Sequence, residues 1–376
     1  MFACVAGVLV CALAAVQAQP PTPIPSPDKA GRPLDALAPT VARATPIPIR
    51  FGSPAPIAKP AGALRIATYN VENLFDDKDD PSLSEDREDK DMTKPEAHRK
   101  AAAAAIRAID ADIVGLEEIE SKEALLWFRD EFLADMGYLH VASIDAGDER
   151  GIEQSVLSRY PIVEAKNWPR EPLGGTHPEK YGNGPNEHAG KPIIMHRSPL
   201  AVTVEVPADA AAKYIGPDGK PLATGAAAKP YRLTVLVVHQ KSGGPGAYWR
   251  EREATKTVEL VKQMQVAEPE RNIVILGDFN AVPTDKVMAT FANAGMVDLF
   301  AHRKKGDSTY ISHESGRPID YILLSPSVER ELIRETRFIL GTPARPAGSD
   351  YRNTPGPEGY AADHYPVVID LVPVDR

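Results

Sequence analysis

The chain has 376 residues, of which 43% are hydrophobic and 25% are charged. These values are typical of a soluble globular protein with enough residues for a substantial core. The formal net charge is −9, and the acidic segment 76–91 alone contributes −6 of it. The absence of a basic stripe argues against a protein that binds nucleic acid tightly and non-specifically, although it does not exclude a nuclease that turns over its substrate.

The N-terminus has the features of a targeting segment. Residues 1–18 form an uncharged apolar run that ends with Val16 and Ala18 in the cleavage positions. Because the run is short for a spanning helix, we interpret it as a signal peptide rather than as a membrane anchor. No later stretch is long and apolar enough to span a membrane. We therefore expect an exported protein, periplasmic or extracellular in a bacterium.

Both cysteines, Cys4 and Cys11, lie inside this predicted signal peptide. The mature chain would then have no cysteine, so we expect no disulfide partner and no thiol ligand.

A proline-rich stretch follows the targeting segment. Residues 19–60 contain 12 of the 36 prolines in the chain, and such a composition favours extended polyproline geometry and buries little. We predict a disordered linker over residues 19–62. The folded domain would then comprise residues 63–376.

From residue 64 onwards, strand and helix patterns are mixed. In the first half of the domain, the sequence predicts strands at 64–70, 112–116, 155–158 and 200–206. It also predicts a helix at 94–110 and a second helix that Ser121 can cap and that ends at about residue 136. The second half predicts buried strands at 231–239 and 272–276, a helix at 247–267 and short strands at 319–324 and 366–371. This mixture indicates a layered α/β domain. Residues 169–196 and 208–230 are predicted to be long loops that face the substrate.

Polar side chains stand at the ends of most of the apolar strands. They are carboxylates, amides and imidazoles, namely Asn70, Glu117, Glu118, His239, Asp278, Asn280, Asp320, Asp363 and His364. If the strands end at one edge of a sheet, these groups meet in one cleft. Such oxygen-rich groups suit Mg²⁺, Mn²⁺ or Ca²⁺ rather than zinc, and the two histidines supply acid–base groups near neutral pH. A hard metal with imidazole and carboxylate groups suits phosphoester hydrolysis.

Six motifs in order carry a family resemblance: TYNVENLF, DIVGLEEIE, VVHQKS, ILGDFNAVPTD, RPIDYILLS and DHYPV. With these motifs the chain resembles the endonuclease/exonuclease/phosphatase superfamily over about residues 64–373. The resemblance implies an α/β fold, a four-layered sandwich of two packed mixed β-sheets flanked by helices.

The resemblance also implies roles for individual residues. Glu118 and Asp363 would bind the metal, and Asn70 would help to hold metal or phosphate. Asp278 and Asn280 would orient the nucleophilic water and contact phosphate. His239 would stabilise the transition state or protonate the leaving group. His364 would be the general base or a phosphate contact, and its hydrogen bond to the Asp320 carboxylate would fix its tautomer.

The chain departs from the family pattern in two places. Glu117 stands where the family has Gln, and because adjacent strand residues point to opposite faces we expect only Glu118 of this pair to be a ligand. Ala362 replaces the usual Ser before Asp363, so a supporting hydroxyl contact would be absent. Arg150, in the stretch DERGIEQ, is a weaker candidate for a phosphate contact.

Residues outside the motifs receive structural interpretations. We expect surface or loop positions for His140, His177, His188, His196, His302 and His313, and packing roles for Trp127, Trp168 and Trp249. The acidic segment 76–91 would be a solvated loop, with a second calcium site as the alternative, although its spacing fits no EF-hand.

The function that these observations favour is an exported metal-dependent nuclease or phosphodiesterase that cleaves DNA or RNA. The alternatives are a phosphatase or a sphingomyelinase-like phosphodiesterase acting on small or lipid phosphoesters, and an inactive envelope binding protein. The sequence does not indicate the oligomeric state or the number of metal ions.

Overall fold

The structure, a computed structural model, describes residues 49–78, 92–216, 220, 229–300, 306–350 and 353–375. The predicted signal peptide, the predicted linker up to residue 48, His302 and residues 79–91 of the acidic segment lie outside these residues. The chain from Ile47 to Arg376 forms one compact unit. No helix within the described ranges is both long enough and apolar enough to cross a bilayer.

Sixteen strands and six helices are defined among the described residues. The strands are β1 Leu64–Leu74, β2 Ile113–Ile119, β3 His140–Ser143, β4 Glu153–Ser158, β5 Ile162–Asn167, β6 Pro172–Thr176, β7 Lys180–Tyr181, β8 Gly184–Pro185, β9 Pro192–Ile194, β10 Leu200–Val206, β11 Tyr231–His239, β12 Ile273–Asp278, β13 Val297–Asp298, β14 Asp320–Leu324, β15 Leu332–Ile339 and β16 Val367–Leu371. The helices are α1 Glu96–Ile109, α2 Lys122–Phe132, α3 Ala208–Ala211, α4 Ala247–Ala267, α5 Lys286–Asn293 and α6 Pro326–Glu329.

Two six-stranded mixed sheets form the centre of the fold. The first sheet has the order β15-β16-β1-β2-β4-β3, and the second has the order β13-β14-β12-β11-β10-β5. The pairs β1–β2 and β11–β12 are parallel, and the other pairs within these two sheets are antiparallel. Each parallel pair is joined by a crossover that contains a helix, α1 or α4.

The two sheets pack face to face through apolar side chains such as Ile66, Ile113, Val237 and Leu276. At one point they approach closely, because a Cβ atom on Gly115 would lie only 2.3 Å from Leu276 Cδ1. Helices α1 and α2 cover the outer face of the first sheet, and α4 and α5 cover that of the second. The structure thus confirms the predicted sandwich of two packed mixed sheets flanked by helices.

The last part of the predicted linker packs on the domain. Ser53 forms a β-bridge with Leu340, and the Phe51 ring packs against Tyr365. The prediction of a disordered linker is therefore wrong for residues 49–62, because a proline-rich stretch needs few internal hydrogen bonds and can lie along an existing strand edge. The ordered domain begins before residue 63.

The predicted loops 169–196 and 208–230 contain short regular elements where they are described. The first loop holds the pairs β6–β9 and β7–β8, and the second begins with α3. These elements are two to five residues long, too short to give a periodic sequence signal.

One buried carboxyl in the first sheet makes stability depend on pH. Burial raises the pKa of Glu153 from 4.5 to about 8, although its carboxylate accepts a hydrogen bond from the Ala146 N–H group. The unfolded chain binds fewer protons at this group over that range, so the folded state loses stability as the pH rises from about 4.5 to about 8.

We expect Glu153→Gln to raise the melting temperature by a few degrees at about pH 8.5 and to change it little at about pH 5. Thermal unfolding followed by circular dichroism at the two pH values measures this difference, with Glu123→Gln on the exposed face of α2 as the control. An equal shift at both pH values would contradict the explanation by burial.

Candidate active site

The site begins where β12 ends, in the turn formed by Gly277, Asp278, Phe279 and Asn280. Gly277 has a φ of 137°, and a Cβ atom there would lie 1.9 Å from the Val238 carbonyl oxygen, so only glycine fits. Asp278 accepts hydrogen bonds from the Asn280 backbone N–H at 2.8 Å and from Asn280 Nδ2 at 3.0 Å. These contacts fix the Asp278 carboxylate at the edge of the second sheet.

Three site residues lie side by side across the second sheet. In the strand register, His239 of β11 pairs with Asp278 of β12, and Asp278 pairs with Asp320 of β14. His239 Nε2 lies 3.6 Å from Asp278 Oδ2. The predicted convergence of strand ends is thus present in this sheet.

The first sheet contributes Asn70 and Glu118 to the same place. Asn70 Nδ2 faces two carboxylates, at 3.4 Å from Glu118 Oε1 and 3.4 Å from Asp278 Oδ2. Glu118 has a left-handed φ of 64°, and its other oxygen accepts a hydrogen bond from the Asn73 N–H at 3.0 Å. Asn70 therefore joins the two sheets at the site as a hydrogen-bond donor.

Glu117 and Glu118 have different surroundings. Glu117 is fully buried and accepts a hydrogen bond from Thr68 Oγ1 at 2.7 Å, and burial raises its pKa well above the usual range. The Glu118 carboxylate is 13% exposed and lies 3.8 Å from His239 Nε2. Of the two, Glu118 thus offers the accessible carboxylate, as its place in the motif suggests.

His364 carries the hydrogen bond that the resemblance implied. Its Nδ1 atom lies 2.9 Å and 3.0 Å from the two oxygens of Asp320, and its Nε2 atom lies 3.8 Å from Asp278 Oδ2. Burial lowers the pKa of His364, but the carboxylates of Asp320, Asp363 and Asp278 together raise it well above the usual value. His364 is therefore an imidazolium that presents Nε2 to the site.

His239 and Asp278 have shifted pKa values as well. Burial lowers the pKa of His239 well below its usual value, and the guanidinium groups of Arg197 and Arg150 lower it further. Burial raises the pKa of Asp278 to about 7 despite the nearby His364. The site thus combines a neutral imidazole, an imidazolium and a carboxylate that can exchange a proton near neutral pH.

Asp363 has a partner that the sequence did not indicate. His313 Nε2 lies 3.4 Å from Asp363 Oδ2, and the rings of His313 and His364 are 4.5 Å apart. The expected loop or surface position for His313 misses its contact with the site: it lies in the loop before β14, and an isolated β-bridge to His364 brings it to the site. His177 is buried as well, against Trp249.

A second group of residues supports the Asp363 loop. Glu72 accepts a hydrogen bond from the Tyr360 hydroxyl at 2.7 Å and lies 3.4 Å from Arg345 Nη2. Arg345 also pairs with Glu314 at 2.9 Å, and the Glu314 N–H donates to the Asp363 carbonyl at 2.7 Å. Arg50, in the segment predicted to be linker, donates to the carbonyl groups of both Glu314 and Arg345.

The sequence did not point to these supporting residues. Of the supporting residues, Glu72 is the one that a motif could have indicated, because it lies within TYNVENLF. The others lie outside the six motifs and have no local pattern, because their role comes from contacts between segments up to 295 positions apart.

The donor chemistry of the site fits a hard divalent cation. Carboxylates crowd the site, and burial together with Asp363 raises the pKa of Glu72, as neighbouring negative charges without a cation would do. Among the described residues, the ligand atoms of His313, Asp363 and His364 and those of Asp278, Asp320 and His364 lie within 4.8 Å of one another. Neither group includes Glu118, so the two predicted carboxylate ligands, Glu118 and Asp363, do not fall in one such group.

Arg150 lies at the rim of the site. Its guanidinium donates a hydrogen bond to Asn73 Oδ1 and lies 3.8 Å from Glu118 Oε2, and its side chain is 43% exposed. It is therefore accessible to a ligand that enters the site.

Two packed mixed sheets with acidic, amide and imidazole groups at their joined edges define a layered α/β domain with a candidate active site. The chain matches the Endonuclease/Exonuclease/phosphatase family over residues 67–350, and it belongs to this family. Its members are hydrolases that act on phosphoesters and generally use a divalent metal. No curated protein matches the chain.

Several solved structures are similar to this chain. The human Nocturnin catalytic domain with bound sulfate is 13% identical with a TM-score of 0.48, and the similarity covers 82% of this chain and 94% of that chain. A mannosyl-6-phosphatase of Bacteroides thetaiotaomicron is 16% identical with a TM-score of 0.45, and the similarity covers 82% of this chain and 99% of that chain. Truncated Caenorhabditis elegans TDP2 is 12% identical with a TM-score of 0.48, and the similarity covers 82% of this chain and 97% of that chain.

Proposed function

We propose that the protein is an exported, divalent-metal-dependent phosphodiesterase whose substrate is a nucleic acid. The observation that carries the proposal is the position of Asp278, which Asn280 fixes and which lies between His239 Nε2 and His364 Nε2 at 3.6 Å and 3.8 Å. A phosphate group in this space would meet donors on both sides and a carboxylate that can hold water. Membership of a phosphoester hydrolase family supports the same chemistry.

Each site residue has its own role in the proposed reaction. Asp278, with a pKa of about 7, orients the attacking water and accepts its proton. His364, held by Asp320, contacts a phosphate oxygen as an imidazolium. His239 is neutral and donates a hydrogen bond to the phosphate, with Asn70, Asn280 and Arg150 as further phosphate contacts.

Glu118 and Asp363, assisted by Asn70, would hold the metal ion, which is Mg²⁺ or else Mn²⁺ or Ca²⁺. When bound, such an ion neutralises phosphate charge. The accessibility of the Glu118 carboxylate supports its role as a ligand. The histidine neighbours of Asp363 hold the pKa of that carboxyl below the usual value despite burial, which supports an ionised ligand there.

A second candidate function has an observation in its favour. The net charge is −9, and a phosphatase or lipid phosphodiesterase has less need of a basic binding surface than a nuclease has. Small or lipid phosphoesters are therefore the alternative substrates. Export to the periplasm or the exterior stays a prediction that rests on residues 1–18.

Removal of divalent cations tests the reaction and its substrate together. We expect the purified protein to nick plasmid DNA with Mg²⁺ or Mn²⁺, to lose this activity completely in EDTA, and to regain it when the cation is returned. Bis-p-nitrophenyl phosphate and sphingomyelin, assayed in parallel, distinguish a nuclease from the alternative esterases. Inactivity on all three substrates with every cation tested would contradict the proposal and favour a binding protein.

A further inference from the structure

Basic side chains gather on one side of His239. Arg197 directly follows the segment 169–196, and Lys241 follows His239 by two residues. Both, together with Arg150, lie close enough to lower the pKa of His196, which falls to about 2 mainly through burial. We call Arg197, Lys241, Arg150 and His196 the basic cluster.

The carboxylates beside the basic cluster are already engaged. Asp148 lies 2.9 Å from Arg197 Nε, without the geometry of a hydrogen bond, and 3.6 Å from His196 Nε2. Glu253 accepts hydrogen bonds from the backbone N–H groups of His196 at 3.1 Å and Lys241 at 2.9 Å. In the part of the chain that the structure describes, no carboxylate lies within 4 Å of Lys241 Nζ. The ammonium of Lys241 is therefore a charge without an ion-pair partner.

The position of Lys241 is fixed by packing. Its Cγ atom lies against Gly246, where an added Cβ would approach it to 2.9 Å, and its Nζ atom lies 5.9 Å from the centre of the Trp249 ring. Trp249 Nε1 donates to the Ile194 carbonyl at 2.7 Å, which ties the segment 169–196 to the start of α4. Arg197 in turn donates to the Gln240 carbonyl at 3.5 Å, so the chain at the end of this segment lies beside the residues that follow His239.

We propose that Lys241, supported by Arg197, forms a subsite for a second phosphate group of the substrate, next to the phosphate that reacts between His239 and His364. This inference rests on the proposed function and deepens it, because it requires a substrate with two phosphates. A phosphate would relieve the repulsion between Lys241 and Arg197, and this repulsion together with burial lowers the pKa of Lys241. The phosphates of a polynucleotide and those of a multiply phosphorylated small molecule share this chemistry.

A matched pair of substrates tests the subsite. Thymidine 5′-(p-nitrophenyl phosphate) has one phosphate, and its 3′-phosphorylated form has two. We expect the protein to prefer the second substrate by about tenfold in kcat/KM, which corresponds to one partly shielded charge pair. Lys241→Met should remove this preference and leave kcat/KM for the substrate with one phosphate within about twofold of the value of the unaltered protein. Lys241→Arg should keep the preference for the substrate with two phosphates. Lys262→Met, on the exposed face of α4, serves as the control.

A binding measurement separates the subsite from catalysis. With EDTA present, calorimetric titration should give about tenfold tighter binding of thymidine 3′,5′-bisphosphate than of thymidine 5′-monophosphate, and Lys241→Met should remove the difference. If this holds while neither ester is hydrolysed with any cation, the subsite stands and the proposed function fails. Equal affinity for the two nucleotides, or a difference that survives Lys241→Met in a normally folded variant, would overturn the subsite.

Longer substrates then identify the source of the second phosphate. A gain for single-stranded oligonucleotides over the mononucleotide ester that disappears in Lys241→Met supports a polynucleotide. The same Lys241-dependent gain for inositol bisphosphates alone supports a small polyphosphate. No such gain for either would contradict the proposal.

Discussion

His364→Ala should lower phosphodiester turnover by about a thousandfold or more while the domain stays folded. The substitution removes the imidazolium whose Nε2 atom lies 3.8 Å from Asp278 Oδ2 and leaves Asp320 without its partner at 2.9 Å. Loss of one acid–base group costs about 10²–10⁴-fold, and loss of a preformed charge beside the phosphate adds to it. Initial rates on plasmid DNA and on bis-p-nitrophenyl phosphate, with circular dichroism for folding, measure the effect.

Two further variants make this result specific. Asp278→Asn preserves size but replaces one oxygen that accepts from Asn280 with an N–H group, and we expect a comparable loss of turnover. His140→Ala, on the edge strand β3, should leave turnover unchanged. Near-normal rates in His364→Ala or Asp278→Asn would show that the catalytic groups lie elsewhere.

Asp370→Ala should lower the free energy of unfolding by about 3–5 kcal/mol, the usual cost of leaving one member of a buried ion pair alone. Arg65 binds Asp370 through two hydrogen bonds of 2.7 Å and 2.8 Å, and their side chains are 2% and 0% exposed. Arg65 also donates to the Ile109 carbonyl at 3.0 Å. The pair thus links β1, β16 and α1, and chemical unfolding monitored by fluorescence measures its removal.

The double variant Arg65→Met with Asp370→Leu should recover most of that loss, because apolar side chains of similar volume can replace a buried pair. Lys100→Ala, which breaks the exposed pair between Lys100 and Glu96, should change stability by less than about 0.5 kcal/mol. A loss below about 1 kcal/mol for Asp370→Ala would mean that the Arg65 charge finds water or another partner.

The strands and helices whose bounds could be predicted are long and contain many buried residues. Strand β11 and helix α4 have the predicted bounds 231–239 and 247–267, because the local sequence alone indicates a long apolar strand or a helix of several turns. Strand β5 has four exposed positions, and β15 alternates irregularly around a bulge. Edge strands of this kind are stabilised by their neighbours and have no distinctive local pattern.

The same distinction applies to the site. The motifs indicated the residues at strand ends, and the structure brings Asn70, Glu118, His239, Asp278, Asp320 and His364 together. Arg50, Glu314 and Arg345 could not be predicted, since each is an ordinary polar residue until a distant segment packs on it. His313 was predicted to be a loop or surface residue without a role at the site for the same reason.

The segment that contains Arg50 has a consequence for the timing of folding. One of the two neighbours of strand β1 is β16, the last strand along the described chain. Arg50 donates to the carbonyl groups of Glu314 and Arg345, which lie 264 and 295 positions away in the sequence. Contacts this distant form slowly and only when both partners are available. The candidate site therefore cannot be complete on a growing polypeptide until β16 has been synthesised, so it forms late.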